Sequence, residues 1–334
     1  MFSPFIRTNR SVSGIMIEVL LALIPSVLLY YYLFGPAIFI SISICTMSCL
    51  IAELISLTLR TRPILPFLKD GSSLVTAWLI ALSFPTISPW WLLVIASVVA
   101  IIITKHIYGG LGHNIFNPAV MAYAVCLLCY PQFMSQWQSI DAKLSWSEAW
   151  SLIIYQKLPL AGITQSTVLD TIRTGLTSKM IAIDKMISLS PHNFGKWGTP
   201  GYEWVSLSYL VGGSLLLFRR IITWHSPVTF LATMSLLSLI GHTVLPNKFI
   251  GITSELLAGG TMLTAWFIIT DPVSGATTPR GKILFSIGTA LLTFLIRHFG
   301  GYPDGIAFAV ILMNSCVPII DKYTQPPVFG RNTK

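Results

Sequence analysis

The chain has 334 residues, of which 54% are hydrophobic and 10% are charged, and its formal net charge is +9. Soluble domains carry about 25% charged residues, so a soluble globular fold is excluded. The positive charge does not indicate nucleic-acid binding, because basic residues collect in the cytoplasmic loops of membrane proteins.

Apolar runs of about 20 residues, the length that an α-helix needs to cross a bilayer, recur along the chain and predict an all-α, polytopic membrane protein with about ten transmembrane helices. The basic segment 1–10 lacks a small-residue cleavage site, which predicts a retained first span. The predicted spans are 14–33, 36–58, 72–86, 90–105, 115–133, 202–218, 226–245, 250–270, 282–299 and 305–320.

Two pairs of similar segments indicate an internal repeat. Residues 71–80 (GSSLVTAWLI) resemble 259–268 (GGTMLTAWFI), and residues 105–110 (KHIYGG) resemble 297–301 (RHFGG). Similar offsets predict two halves of five spans, and because five is odd the halves are inverted five-helix repeats. The predicted division is therefore a membrane half at 1–133, a hydrophilic segment at 134–201, and a second membrane half with the C-terminus at 202–334.

The distribution of basic residues predicts the orientation, because lysine and arginine favour cytoplasmic loops. If the N-terminus is cytoplasmic, the cytoplasmic segments hold most of the basic residues, both termini lie inside, and segment 134–201 lies outside. The residues on which this rests are Arg7, Arg10, Arg60, Arg62, Lys69, Lys105, Arg219, Arg220, Arg280, Lys282, Lys322, Arg331 and Lys334.

Glycine and proline interrupt two helices, at 109–118 and at 300–305. Non-helical backbone at membrane depth is tolerated only where protein or water covers it, and inverted repeats place binding sites on such interrupted helices. These segments therefore predict a site near the midplane, with ordinary turns as the alternative.

Six acidic side chains lie within or beside the predicted spans. Glu18 and Glu53 fall inside spans, where an ionisable side chain is a functional candidate; an interhelical hydrogen bond is the alternative. The other four lie at span ends, where they cap loops or contact an ion, a flavin or a partner: Asp70, Asp271, Asp304 and Asp321.

Motifs for metals and soluble nucleotides are missing. No histidine pair has metal-ligand spacing on one helix face, and neither a Walker loop nor a Rossmann fingerprint occurs, so we predict no metal site. Cys126 and Cys129 have redox-motif spacing, but they lie inside an apolar run, which favours buried free thiols.

Two polar segments could present a threonine for a phosphoester bond. Residues 164–167 (TQST) end in Thr167, within the hydrophilic segment, and residues 271–278 (DPVSGATT) contain Thr277. By local sequence the second segment is the better candidate, so both stay open at this point.

Seven segments together carry a resemblance that covers nearly the whole chain. They are 68–74 (LKDGSSL), 89–91 (PWW), 108–118 (YGGLGHNIFNP), 165–171 (QSTVLDT), 270–273 (TDPV), 277–281 (TTPRG) and 300–310 (GGYPDGIAFAV). With these motifs the chain resembles the D subunits of the Rnf (Rsx) ion-translocating electron transport complexes of bacteria. It is more distantly similar to the B subunits of sodium-translocating NADH:quinone reductases.

The resemblance implies a multi-pass protein of the bacterial inner membrane, in a translocase that moves electrons between NADH and ferredoxin or toward a redox regulator. It implies as partners the other Rnf subunits (A, B, C, E and G) and a flavin transferase, besides the lipid bilayer. As a hypothesis, Asp70 and Asp304 contribute to the coupling of electron transfer to ion translocation.

The resemblance also implies a flavoprotein in which FMN is attached through its phosphate to a threonine, and the more distant relatives suggest riboflavin or a quinone elsewhere in the bundle. The family's attachment motif, Asp-x-x-Ser-(Gly/Gln)-Ala-Thr-(Pro/Ala)-Leu, places FMN on Thr167, although Ala161, Ser166 and Val168 depart from it. Thr277 matches the motif better, but its basic flank predicts a cytoplasmic position, whereas the family's transferase acts outside.

The aromatic residues near the hydrophilic segment are candidates for packing on a flavin, with an interfacial aromatic belt as the alternative: Trp137, Trp146, Trp150, Tyr155, Trp197, Tyr202 and Trp204. Two other functions remain open. An inverted repeat with broken helices also suits a channel or carrier, because fold does not fix function. The chain is alternatively a structural subunit whose attachment site has decayed.

Overall fold

The computed structural model describes residues 11–157, 159–178, 182–302 and 304–325. Both terminal segments, 1–10 and 326–334, which the sequence places in the cytoplasm, lie outside the described residues, and so does Pro303 of the second interruption. The described part is built almost entirely of helices, which confirms the prediction of an all-α polytopic membrane protein.

The described residues 11–129 form six helices in the first membrane half. They are α1 (Val12–Phe34), α2 (Ala37–Leu59), α3 (Ile64–Leu68), α4 (Ser72–Ser83), α5 (Trp90–His106) and α6 (Pro118–Cys129). The last two turns of α5 are π-helical.

The segment between the halves is a small unit of short elements. Its helices are α7 (Pro131–Met134), α8 (Trp146–Trp150), α9 (Val168–Ser178) and α10 (Ile183–Leu189), and its strands are β1 (Trp137–Gln138) and β2 (Thr164–Gln165). The strands are antiparallel, with Trp137 opposite Gln165.

The second half contains α11 (Tyr202–Phe218), α12 (His225–Val244), α13 (Ile252–Leu257), α14 (Thr261–Leu263), α15 (Pro279–Phe299) and α16 (Ile306–Thr324). A π-helical turn, Thr264–Ile268, continues α14. Within the described residues, α1, α2, α12, α15 and α16 are long and apolar enough to cross a membrane, and α4, α5 and α6 are shorter apolar helices.

Two predicted spans differ from the observed helices. The span predicted at 250–270 is broken between α13 and α14, where Gly259 has a φ of +60°, a conformation that glycine adopts without strain. The span predicted at 115–133 begins only at Pro118, because the Asn117 side chain caps the first turn and Pro118 stands at its first position, and it is divided at Tyr130 into α6 and α7. The break before Pro118 lies in the glycine-containing interruption predicted at 109–118, whereas the sequence did not predict the break at Gly259.

The helices of the two halves run in opposite directions. α4 runs toward the end of the bundle that carries segment 134–201, whereas α14 runs away from it, and Gly71 and Gly259 precede them with positive φ. The halves pack through α1 and α11, where Ser208 donates a 2.9 Å hydrogen bond to Ser26. A Cβ on Gly212 would overlap the Ala22 carbonyl oxygen, so this contact requires a small residue.

Large apolar side chains cover the lateral surface of the bundle, as expected of helices that face lipid rather than water. Among them are Leu28, Leu59, Val211, Phe218, Leu236, Leu284 and Leu312, all of them exposed.

Candidate functional site

Thr167 caps the N-terminus of α9. Its Oγ1 accepts the backbone N–H of Asp170 at 3.2 Å, and its hydroxyl donates to Asp170 Oδ2 at 2.9 Å. This is the N-cap geometry that Ser, Thr, Asp and Asn side chains favour. The hydroxyl is thereby held at a helix N-terminus, where the helix dipole favours negative charge.

Three contacts fix the chain before and after Thr167. Before it, the β1–β2 pairing and a 2.8 Å bond from Ser139 N–H to the Ile163 carbonyl hold the strand. After it, the Val168 N–H donates to Thr199 Oγ1 at 3.0 Å. The buried face of α9, formed by Val168, Leu169 and Ile172, packs with Ile183, Ile250 and Ala258.

Thr167 lines a cavity of about 460 Å³ between the two membrane halves. Asp170, Arg173 and Asp304 supply charge to its wall, and the backbone of Gly259 and Gly260 closes one side. Aromatic side chains supply much of the rest, namely Tyr30, Tyr123, Trp137, Tyr202, Tyr209 and Tyr302. A mostly apolar cavity of this size with a few convergent polar groups is typical of a small-molecule site.

Burial raises the pKa of the Asp170 carboxyl above its usual value, and the hydrogen bond from Thr167 opposes the shift. Arg173 on the same helix also lowers this pKa, while the Asp304 carboxylate across the cavity raises it. The site therefore holds an anion-binding helix end, one arginine and a carboxyl group whose pKa is raised by burial.

A buried charge cluster, here called the Arg297 cluster, lies directly behind this cavity. Arg297 donates to Glu255 Oε1 at 2.8 Å, to Thr261 Oγ1 at 3.0 Å and to Asp304 Oδ1 at 3.0 Å. His298 Nε2 lies 3.3 Å from Glu255 Oε2. The partners of Arg297 come from α13, α14 and the residues before α16, so the cluster connects these elements to α15. Removing one partner would leave a buried charge unpaired, which is costly.

A second cluster, here called the Lys105 cluster, lies at the other end of the bundle. Lys105 Nζ donates to both oxygens of Glu53, at 2.9 and 2.8 Å, and to Ser72 Oγ at 2.8 Å. Ser73 donates to Glu53 at 2.9 Å, and His106 Nε2 lies 3.0 Å from it. Each cluster contains the basic residue and the following histidine that the sequence repeat has in common. One buried glutamate contacts both of them in each case: Glu53 in the Lys105 cluster and Glu255 in the Arg297 cluster.

Two of the other acidic candidates, Glu18 and Asp70, have side-chain partners of their own. Glu18 pairs with Arg219 at 2.8 Å. Asp70 accepts both the N–H and the hydroxyl of Ser72, and so caps α4. A role of Asp70 and Asp304 in ion coupling stays a prediction.

A second cavity of about 330 Å³ lies toward the Lys105 end. Its lining includes Lys105, Asn114, Asn117 and Asp271, with Trp266 on one wall. Asn117 Nδ2 donates to Asp271 Oδ2 at 3.3 Å, so the first glycine-rich interruption meets the second half here.

Thr277 lies at the opposite end of the bundle from Thr167. It is exposed, it lines neither of these cavities, and both its N–H and its hydroxyl donate to Asp321 on α16. The geometry thus separates the two threonines that the sequence left as competitors.

Of the seven aromatic residues that the sequence singled out, the structure brings only Trp137 and Tyr202 into the Thr167 cavity. Four others are largely exposed, as expected of an interfacial belt: Trp146, Trp150, Tyr155 and Trp204. Trp197 packs on Trp204. Cys126 is a buried free thiol, as predicted, whereas Cys129 is free but exposed, so the prediction of burial was wrong for Cys129. No group of metal-ligating side chains occurs in the described ranges.

Three important residues received no role from the sequence, namely Asp170, Arg173 and Glu255. The signal for Asp170 was present, because a threonine followed three residues later by an acidic residue is a helix-start pattern. Glu255 carried no local signal, because its partner Arg297 is distant in the chain.

The fold and the site define a polytopic membrane protein of two inverted halves with a tyrosine-rich, mostly apolar cavity between them. The chain belongs to the NQR2, RnfD, RnfE family, whose model matches residues 1–330. It is 42% identical to the D subunit of the ion-translocating oxidoreductase complex of Sodalis glossinidius, over 98% of this chain and 97% of that protein. It is 41% identical to the D subunits of the same complex from Aeromonas salmonicida, over 99% and 98%, and Erwinia tasmaniensis, over 98% and 97%.

Proposed function

We propose that this chain is the membrane subunit of an ion-translocating oxidoreductase complex, and that it carries FMN on Thr167 as an electron relay. The observation that carries the proposal is the position of the Thr167 hydroxyl, at a helix N-terminus and on the wall of an aromatic cavity. The names of the relatives support the assignment to a complex.

The residues of the cavity fit a flavin nucleotide. The Thr167 hydroxyl supplies the oxygen for a phosphoester, and the α9 N-terminus and Arg173 stabilise the negative phosphate. The tyrosines around the cavity offer flat apolar surface for the ring system, and their packing excludes water. When bound, the flavin supplies the redox chemistry, while the protein sets its position and electrostatic environment.

The departures from the family's attachment motif are compatible with this role. Ala161 and Ser166 are exposed, where they affect contacts with a transferase rather than the fold. Val168 is buried and begins α9, so it supports the position of Thr167.

The proposal places segment 134–201 outside the bacterial inner membrane and the termini in the cytoplasm, as the basic residues predict. There a flavin transferase reaches Thr167. The other Rnf subunits (A, B, C, E and G) are the proposed electron-transfer partners.

We further propose that the second cavity takes the non-covalent flavin, riboflavin. Its amides and carboxylate, Asn114, Asn117 and Asp271, offer donors and acceptors to a polar ring edge, and Trp266 offers a flat apolar surface. This cavity lies at the Lys105 end of the bundle, so two flavins would occupy opposite ends.

The test is flavin fluorescence of the purified, denatured protein after co-expression with its transferase. We expect a covalent signal in the wild type and in Thr277→Ala, and none in Thr167→Ala. Absence of a signal in the wild type would favour a carrier or a structural role, and a signal that persists in Thr167→Ala would reject this threonine.

A further inference from the structure

The hydrogen bonds of Thr167 leave its oxygen with one unused lone pair. A hydroxyl has one hydrogen and two lone pairs. The hydrogen is donated to Asp170 Oδ2 at 2.9 Å, and one lone pair accepts the Asp170 N–H at 3.2 Å. Because Thr167 lines the cavity, the remaining lone pair is available to a group that enters from it. This is the arrangement of a nucleophile beside its base.

We propose that Asp170 is the base that removes the Thr167 proton when the phosphoester forms. In this step Thr167 Oγ1 bonds to the phosphorus of an activated flavin nucleotide, in which the flavin phosphate is part of a pyrophosphate, such as flavin adenine dinucleotide. The pyrophosphate P–O bond breaks, and the nucleoside monophosphate leaves with the bonding electron pair. The proton of Thr167 moves to Asp170 Oδ2. The inference rests on the proposed attachment of FMN to Thr167.

The surroundings of Asp170 explain why it keeps the proton afterwards. It faces Arg173 on its own helix, Tyr123 on α6 and Asp304 before α16. Burial already raises the pKa of Asp170, and the hydrogen bond from Thr167 opposes this. Esterification removes that hydrogen bond and adds a negative phosphodiester, and both changes favour the protonated carboxyl. Neutral Asp170 then donates to the phosphoester.

The molecule contains a matched control for this geometry. Thr277 Oγ1 donates to Asp321 Oδ2 at 2.9 Å, the same distance as in the Thr167–Asp170 pair. Thr277 is nevertheless exposed and lines neither cavity. The base is therefore expected to matter only where the threonine meets the cavity, and Asp321→Asn is the control for Asp170→Asn.

The experiment uses the full-length protein purified from cells without the transferase, mixed with purified transferase and flavin adenine dinucleotide. The rate of covalent attachment is followed by fluorescence of the denatured band over a range of pH. We expect Asp170→Asn to lower kcat by about 100-fold or more, the usual contribution of a general base, with KM for the protein substrate unchanged. Asp170→Glu should restore part of the rate, and Asp321→Asn should equal the wild type.

The pH dependence follows from the ionised carboxylate being the form that accepts the proton. The rate ratio of wild type to Asp170→Asn should fall toward one as the pH drops below the raised pKa of Asp170. Equal rates and pH profiles in wild type and Asp170→Asn, with Thr167→Ala inactive, would overturn the role of Asp170 and leave the proposed function intact. No attachment to the wild type would instead reject the proposed function. If Asp170→Asn does not fold, Asp170→Ser, which also lacks the carboxylate, takes its place: a wild-type rate and pH profile would overturn the inference, and a lower rate with a flattened pH profile would support it.

Discussion

Buried Arg297 and partly exposed Asp304 form a 3.0 Å ion pair that joins the cavity at Thr167 to the charge cluster behind it. The other Asp304 oxygen accepts the N–H of Gly260 at 2.9 Å. One carboxylate thus holds the start of α14, faces the cavity and neutralises Arg297. A substitution in the Arg297 cluster is therefore expected to change the position of Asp304 on the cavity wall.

The first prediction concerns the planar guanidinium group of Arg297, which donates to three partners at once. Arg297→Lys keeps the charge but cannot contact Glu255, Thr261 and Asp304 together, so we expect it to destabilise the protein by about 1–3 kcal/mol, the cost of unsatisfied buried groups. Arg297→Gln also leaves buried carboxylates without a cation and should cost about 3–5 kcal/mol. Thermal unfolding in detergent measures both, and wild-type melting temperatures would contradict the stabilising role of the cluster.

The second prediction concerns the Lys105 cluster. Lys105→Met leaves Glu53 buried without its lysine, and we expect a loss of about 3 kcal/mol or more. The double variant Glu53→Gln/Lys105→Met should be the more stable of the two, because no buried charge is left unpaired. Glu18→Gln is the control, since the partly exposed pair with Arg219 should contribute about 0–1 kcal/mol. A double variant less stable than Lys105→Met would argue against this account.

The third prediction concerns the contact between the two halves. A methyl group on Gly212 would collide with the Ala22 carbonyl, so Gly212→Ala must push α1 and α11 apart. We expect a loss of about 1–3 kcal/mol, as for other overpacked sites. The neighbouring Val211 is exposed to lipid, and Val211→Ala should unfold like the wild type. Equal unfolding temperatures for Gly212→Ala and Val211→Ala would show that the halves are not packed this closely.

The fourth prediction concerns recognition by the transferase. Ala161 stands where the family's motif has an acidic residue, and it is exposed. Ala161→Asp should therefore leave the unfolding temperature unchanged and raise the rate of flavin attachment about tenfold, the effect of one charge-assisted hydrogen bond of about 1.4 kcal/mol. An unchanged or lower rate in a transferase assay would show that the transferase does not recognise an acidic residue at position 161.

Hydropathy patterns were sufficient to predict the long helices of the fold, but not its short helices. The spans predicted at 14–33 and 36–58 correspond to α1 and α2, because long apolar runs have few alternatives in a membrane. The break at Gly259 was not predicted, because the sequence around it is as apolar as a continuous span. It forms because Asp304 and Arg297 satisfy the backbone and side chains there, and these partners come from elsewhere in the chain.

The site was predictable only in part for the same reason. Thr167 was singled out by its motif, and Asp170 follows it at helix-capping spacing. The cavity was not predictable, since Tyr30 on α1, Tyr123 on α6 and Tyr302 in the loop before α16 are distant in the chain and converge only in the fold. The same holds for Glu255, whose role depends entirely on Arg297.

The most direct test of the central claim is mass spectrometry of tryptic peptides from the protein co-expressed with its transferase. Trypsin releases Thr167 in the peptide 158–173 and Thr277 in the peptide 249–280. The account predicts an FMN adduct on the first peptide, with fragment ions that assign it to Thr167, and an unmodified second peptide. An adduct on the second peptide, or the absence of FMN from both, would contradict it.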